Sequence, residues 1–362
     1  MKRIWIQRIG AAVLCAVLLV GCMPGGPAAD STASADPLTG QEQQYPGQRP
    51  AAVVIDNAPG STPQWGIGSA SVVLEAAARA DTAPSLCLVY PSVSAMPTVG
   101  PVTLGQDLFW RLLSGQQVLP IQRGCDLYTR NFLDYWNLRA VDALETGRNA
   151  FTTGNTDWAS PLWCTNGQSV AKVLGSLSLS SALSEDPAES ADSTQEGDTP
   201  AVPTVPALLP QQTDGHLPDA DAADAVQAAV QFPSGSTTRF AYDTDTGTYG
   251  MLHNDGSPQL DANTGTQAAF DNLLVLYSAS TPRDDGRTLD YDLTMGGGLW
   301  LNGGHLWHIT WTQGTGSTFA FYDADGRPLR ILSGRSYIAW LSSLTGEEVT
   351  VQDSAGNDLL QP

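Results

Sequence analysis

The first 22 residues constrain this chain more than any other stretch. Lys2, Arg3 and Arg8 give a basic start, Ile9–Val20 is almost wholly apolar, and Leu19-Val20-Gly21-Cys22 closes the run on small residues. A basic start, a short apolar centre and a small-residue exit make a secretory leader. The run is too short to cross a hydrocarbon core of about 30 Å as a helix. Everything after it is therefore predicted to fold outside the cytoplasm.

Gly21 followed by Cys22, placed where the apolar run ends, looks like a bacterial lipobox. The Cys22 sulfur would be acylated and the chain cut just before it; an ordinary leader with a chance cysteine is the other reading. Two or three acyl chains, palmitate among them, make a stable anchor, since one chain binds only marginally. The partner predicted here is the membrane itself, with the protein held on its extracytoplasmic face through Cys22.

The 362 residues are 42% hydrophobic and 15% charged, which suits roughly two domains plus linkers. The formal net charge is −20, and the leader takes three of the 17 basic residues and none of the 37 acidic ones. Such a surface repels phosphate backbones, which excludes nucleic acid as a partner. Of five cysteines, Cys15 lies in the leader and Cys22 is the lipidation site. Cys87, Cys125 and Cys164 remain, an odd number that allows at most one disulfide. Their spacing fits no zinc site, and no metal or cofactor is predicted. Buried small hydrophobes and a Cys125–Cys164 bridge are both open readings.

Past the leader, residues 23–48 are rich in Pro, Gly, Ala, Ser and Gln and read as a disordered tether. Residues 49–177 read as an N-terminal α/β layered domain. Ala51–Ile55, Val72–Glu75, Leu86–Tyr90 and Val118–Ile121 are its strands, with an Ala-rich helix over 74–80 as a competing assignment. Leu104, Leu108, Phe109 and Leu112 recur at helical spacing, and Leu127, Phe132, Tyr135 and Trp136 suggest a second helix. Thr165-Asn166-Gly167-Gln168 reads as a capping box opening a third. Residues 178–225 are acidic, Pro-rich and free of Lys and Arg; they read as a disordered insertion with an apolar island at Leu208-Leu209. Residues 226–355 alternate short strand-like runs, Thr237–Tyr242, Thr248–Leu252, Asn272–Tyr277, Leu289–Leu293, Leu306–Trp311, Thr318–Tyr322 and Tyr337–Leu341, with turns at Thr246-Gly247, Asp255-Gly256, Asn302-Gly303 and Asp325-Gly326, a β-rich, mainly antiparallel domain. The fold class is α+β overall.

Asp56 and Asn57 follow the first strand, where α/β sheets bind ligands. With Glu75 they are the leading site candidates; the competing reading is that Asp56 and Asn57 only shape the turn. Ser169-Val170-Ala171-Lys172 matches the Ser-x-x-Lys of penicillin-interacting enzymes, but Lys172 is the last lysine and the Lys-Thr-Gly strand is missing. His305 and His308, three apart on a strand, point to opposite faces and make a poor metal pair. Asp243-x-Asp245, Asp261-x-Asn263 and Asp323-x-Asp325 echo calcium loops without the completing Glu, and hairpin turns explain them. Trp307, Ile309 and Trp311 alternate onto one strand face. Exposed, the two indoles would stack on sugar rings; buried, they would fill the β-rich interior.

Ala52-Val53-Val54-Ile55-Asp56-Asn57, Pro63-Gln64 with Gly66, Glu75 and Gly100-Pro101-Val102 resemble the YerB-like family of bacterial lipoproteins, a family of unknown function. The order Tyr249, Gly256, Asp261, Gly265 and Asn272 before a Leu-Leu-Val strand is similar too. The resemblance covers both folded regions and implies an α/β part followed by a β-rich part outside the membrane. It departs at Thr103 and around Gly105-Gln106, where that family carries Arg. It departs again at Leu119–Gln122 and Gln259, where that family carries His. These losses point away from an inherited activity and toward a non-enzymatic binding or interaction protein of the cell envelope, with cell-wall glycan or an envelope protein as ligand. A cell-wall hydrolase using Asp56 and Glu75 as an acid/base pair is the alternative.

Overall fold

A computed structural model describes residues 34–58, 60–154, 161–184, 202–215, 217–314 and 318–360. The leader, Cys22 and residues 185–201 of the acidic insertion lie outside the described residues. The N-terminal part supplies β1 (Ala51–Asp56), β2 (Val72–Ala76), β3 (Ser85–Tyr90), α1 (Asp107–Leu112), β4 (Leu119–Gln122), α2 (Leu127–Tyr135) and α3 (Gly167–Leu174). The C-terminal part supplies β5 (Gln227–Gln231), β6 (Thr237–Asp243), β7 (Thr248–Leu252), β8 (Asn272–Ser278), β9 (Met295–Asn302), β10 (His305–Gln313), β11 (Phe319–Tyr322), β12 (Ser336–Ser342) and β13 (Glu348–Gln352). The α+β class read from the sequence is the class observed.

One 12-stranded mixed sheet runs through both parts. Its centre reads β11-β10-β9-β8-β12-β2-β3-β1-β4, so β12, from near the end of the chain, sits between β8 and β2. It runs parallel to both, with Ser336 opposite Asn272 on one side and Val72 on the other. All seven residues of β12 are buried. A strand covered on both faces has no polar side to alternate with, which explains the unbroken apolar runs of β1, β2 and β3. It also explains why 74–80 is strand at its start rather than an Ala-rich helix.

The two faces have different cover. Ala52, Val54, Leu74 and Trp340 pack with Phe109, Leu112 and Leu133 from α1 and α2. Val53, Ile55, Val73 and Tyr337 face α3 through Val170 and Val173, and a second sheet of order β7-β6-β5-β13 through Phe240, Met251 and Val351. Asn166 caps α3, accepting from the Ser169 N–H at 2.8 Å. The cap thus falls one residue past Thr165, whose hydroxyl donates to Ala150 O instead.

Two expectations are corrected. The tether predicted over 23–48 is already structured from Ser34: Asp36 accepts from the Leu38 and Thr39 N–H groups, and Leu38 is fully buried. The described ends of the insertion also pack. Leu208 and Leu209 are buried, Gln211–Gln212 pairs with Ile331–Leu332, and Ala222–Ala223 pairs with β10. Apolar islands in a polar segment win burial area that composition averages away. Past Ala33 the chain divides no further.

The parts are also latched by single side chains. Buried Asp261 accepts from the Gly66 N–H at 3.1 Å and the Gly68 N–H at 2.8 Å. Gly66 has φ +92, and a Cβ there would lie 2.5 Å from the Tyr90 hydroxyl, so only glycine fits. Arg335 donates to Ile67 O, Ala70 O and Ala269 O, clamping the same corner.

Candidate functional site

The strand-end residues flagged from sequence part company. Register sets Asp56 opposite Ser85 and Ser85 opposite Ala76, while Glu75 aligns with Leu86 and Ile55. Side chains alternate along a strand, so Asp56 and Glu75 belong to opposite faces of the sheet. Asp56 is spent on its own turn, accepting from the Ala58 N–H at 2.9 Å and the Ser61 hydroxyl at 2.6 Å. The two carboxylates form no acid/base pair.

Glu75 is fully buried between the sheets. Its Oε1 accepts from Asn57 Nδ2 at 2.7 Å and from the Thr238 hydroxyl at 2.9 Å, and its Oε2 accepts from the Tyr337 hydroxyl. Among the described residues it meets no cation. Burial drives its pKa up, against the three donors, which pull it down. Burial and the neighbouring Glu75 charge push the Tyr337 hydroxyl well above its ordinary value.

From Glu75 an amide chain runs to the surface. Gln64 Nε2 donates to Asp56 O at 2.7 Å and to Asn57 Oδ1 at 3.1 Å, and its Oε1 accepts from Gln259 Nε2. A carboxylate at one end and a backbone carbonyl beside it accept only, so every amide in the chain has one possible orientation. Asn57, Gln64, Thr238 and Gln259 then form the floor of a cleft of about 790 Å³. Its walls are the 58–64 loop, the Ser234–Thr237 turn and Leu252–Ser257, dominated by hydroxyls and amides. Asp81 and Asp255 stand at its rim. Hydrogen bonds from Arg287 and Arg79 hold the Asp81 carboxyl below the usual range, and the Ser257 hydroxyl and N–H do so for Asp255. Thr238 keeps acceptor capacity, while Asn57 and Gln259 each keep an amide N–H not used among the described residues.

Of the two readings of the aromatic strip, burial selects the core; Trp307 and Trp311 offer no ligand surface. Trp307 is 5% exposed and Trp311 fully buried. Trp307 stacks on Trp300 at 4.2 Å, and its indole N–H donates to Pro218 O, because the 217–223 segment lies across it. Trp311 donates to Tyr277 O and Gly297 O and packs on Trp340. The Asp-rich loops are turns: Asp243 and Asp323 each accept from N–H groups in their own loop. Lys172 is exposed on the outside of α3. Cys87, Cys125 and Cys164 are free thiols. Sequence reasoning missed Thr238, Gln259 and Tyr337 as site residues, and Gln64 appeared only as part of a motif.

Two models of a family described as a protein of unknown function, DUF3048, match the chain. The N-terminal domain covers residues 38–179 and the C-terminal domain residues 228–338. The chain belongs to this family. It is 27% identical over 341 residues to the Bacillus subtilis (strain 168) protein named "Putative lipoprotein YerB", spanning 92% of this chain and 94% of that one. The crystal structure of YerB from Bacillus subtilis matches with a TM-score of 0.71 at 20% identity, covering 88% of this chain and 99% of that chain. The YerB-like resemblance read from the sequence is therefore the family found. The first family domain opens at the buried Leu38, and the second closes inside β12.

Proposed function

We propose that this family member is a lipid-anchored, non-enzymatic binding protein of the bacterial cell envelope, holding hydroxyl-rich cell-wall glycan in the cleft above Glu75. The anchor rests on the leader, on Cys22 and on the lipoprotein name of the Bacillus relative. The cleft carries the binding reading. Its floor is an oriented set of amides and hydroxyls, the groups that match sugar hydroxyls, which donate and accept at the same atom. The one carboxyl beneath it is sealed from the ligand space. The glycan hydrolase read from the sequence would need Asp56 and Glu75 converging on a shared cleft, and they lie on opposite faces.

The test is sedimentation of the full chain with purified peptidoglycan, followed by analysis of the supernatant for released fragments. Pelleting without release, lost in Gln259→Ala or Asn57→Ala, is expected. Released muropeptides would overturn the binding reading in favour of hydrolysis. Neither pelleting nor release would refute glycan as the ligand and direct the search to an envelope protein, by crosslinking in intact cells.

A further inference from the structure

A second cavity, about 390 Å³, shares no residue with the glycan cleft. Its lining sets Trp110, Leu113, Val118, Phe132 and Trp136 beside three serines and Gln117. Arg49 reaches it from the strand entrance. The guanidinium donates to Gln117 O and, at 2.9 Å, to Val118 O, both neutral acceptors. Among the described residues no carboxylate lies within ion-pair distance of it, in a chain with 37 acidic residues. A cation taken largely out of water without a counter-charge is costly, and a bound anion offsets that cost.

We propose that this cavity binds a small monocarboxylate with a flat aromatic body, its carboxylate on Arg49 and its ring against Trp136. The ligand's charge follows from the count of cations. One guanidinium balances one negative charge, whereas a phosphate dianion would leave a second charge against an apolar wall. The unused guanidinium N–H groups form a planar fork that suits a carboxylate. The body follows from size and lining. The volume lies near the lower end of the roughly 300–1,000 Å³ of ligand pockets, room for a ring and short linker rather than a long acyl chain. Trp136, inclined at 52° to Phe132 with centroids 6.4 Å apart, is 65% exposed at the mouth. A ring stacked there would cover the part of the indole that its ring neighbours Phe132 and Tyr135 leave open.

The probe is 3-phenylpropionate, with 3-phenylpropan-1-ol as the uncharged analogue. Both are titrated against the full chain in lipid nanodiscs by ligand-observed NMR, with empty nanodiscs as blank. The acid should bind at least about tenfold more tightly than the alcohol, as a charge-assisted bond implies. Arg49→Met should abolish that preference, and Trp136→Ala should weaken both ligands alike. Should Arg49→Met fail to fold, Arg49→Lys takes its place: it keeps the charge and loses the planar fork, so the acid should weaken and the alcohol stay unchanged. Equal affinities, a preference that survives Arg49→Met, an acid affinity unmoved by Arg49→Lys, or no saturable binding by the acid would each overturn the proposal. None of these outcomes bears on glycan binding, since the sites have no residue in common.

Discussion

Glu75 and Tyr337, on neighbouring strands of the large sheet, share one buried hydrogen bond, and its strength can be measured. Tyr337→Phe leaves the ring against Phe240 and Phe270, at 4.6 and 5.8 Å between centroids, and deletes only the hydroxyl that Glu75 accepts from. Hydrogen bonds to charged groups contribute about 1.5–3 kcal/mol, so a loss of about 2 kcal/mol is expected once Glu75 is ionised. In Glu75→Gln, Oε1 keeps Asn57 and Thr238, and the new amide nitrogen turns toward Tyr337 as a neutral donor. There the same deletion removes a bond of about 1 kcal/mol, leaving a coupling of about 1 kcal/mol in the double-mutant cycle. Glu75's pKa is raised on folding, chiefly by burial. The folded state therefore holds this proton more tightly than the unfolded state. The resulting stability is fully present below the ordinary carboxylate range and is lost as pH rises through the folded value. Glu75→Gln has no such proton, so the natural protein should lose stability relative to it on going from acid to neutral pH. Urea unfolding followed by tryptophan fluorescence at both pH values measures all four proteins. Additive losses at both pH values, or a Glu75→Gln difference that does not move with pH, would refute the buried, uncompensated carboxylate.

Trp311→Ala should cost about 3–5 kcal/mol, as large-to-small core changes do, with glycan pelleting per folded molecule unchanged; lost pelleting at unchanged stability would restore the exposed strip. Asp261→Ala strips acceptors from the Gly66, Gly68 and Asn263 N–H groups. Each unpaired donor costs about 1–3 kcal/mol, so the urea midpoint should fall steeply, and an unchanged midpoint would remove the latch. Gly66→Ala meets both a positive φ and the Tyr90 hydroxyl. It should yield little folded protein by circular dichroism, and wild-type stability would refute that reasoning. Cys22→Ser should leave the protein uncut or released from membranes on fractionation; continued membrane partition after cleavage would rule out the lipobox.

What could be read from the sequence follows burial. β1, β2, β3 and β12 were legible as apolar runs because both their faces are covered. β9 was not, because Met295-Gly296-Gly297-Gly298 looks like a breaker. In the sheet a Cβ at Gly296 would lie 1.8 Å from Tyr277 O, so glycine is what lets the strands approach. β5 and β13 were missed because Gln227–Gln231 and Glu348–Gln352 bury few large side chains. At the site, the strand-end argument found Asn57 and Glu75, which do touch. It also named Asp56, whose carboxylate has the turn role that Asp favours after a strand. Thr238, Gln259 and Tyr337 come from 163 to 262 residues away in pairings that no local period encodes.

The placement of β12 has a consequence for how the chain is made and moved. Synthesis and export both proceed from the N-terminus, so β2 and β8 emerge long before the strand that separates them. Until Ser336–Ser342 arrives, each keeps an open edge ready to pair with the wrong chain, and closing the gap waits on contacts distant in sequence, which form slowly. On the proposed envelope location the chain gains from this delay, since it stays unfolded while it still has to be threaded. The same delay makes a late truncation severe: a stop before Ser336 removes the middle of the sheet and adds two open edges, on β2 and β8, to those at its ends.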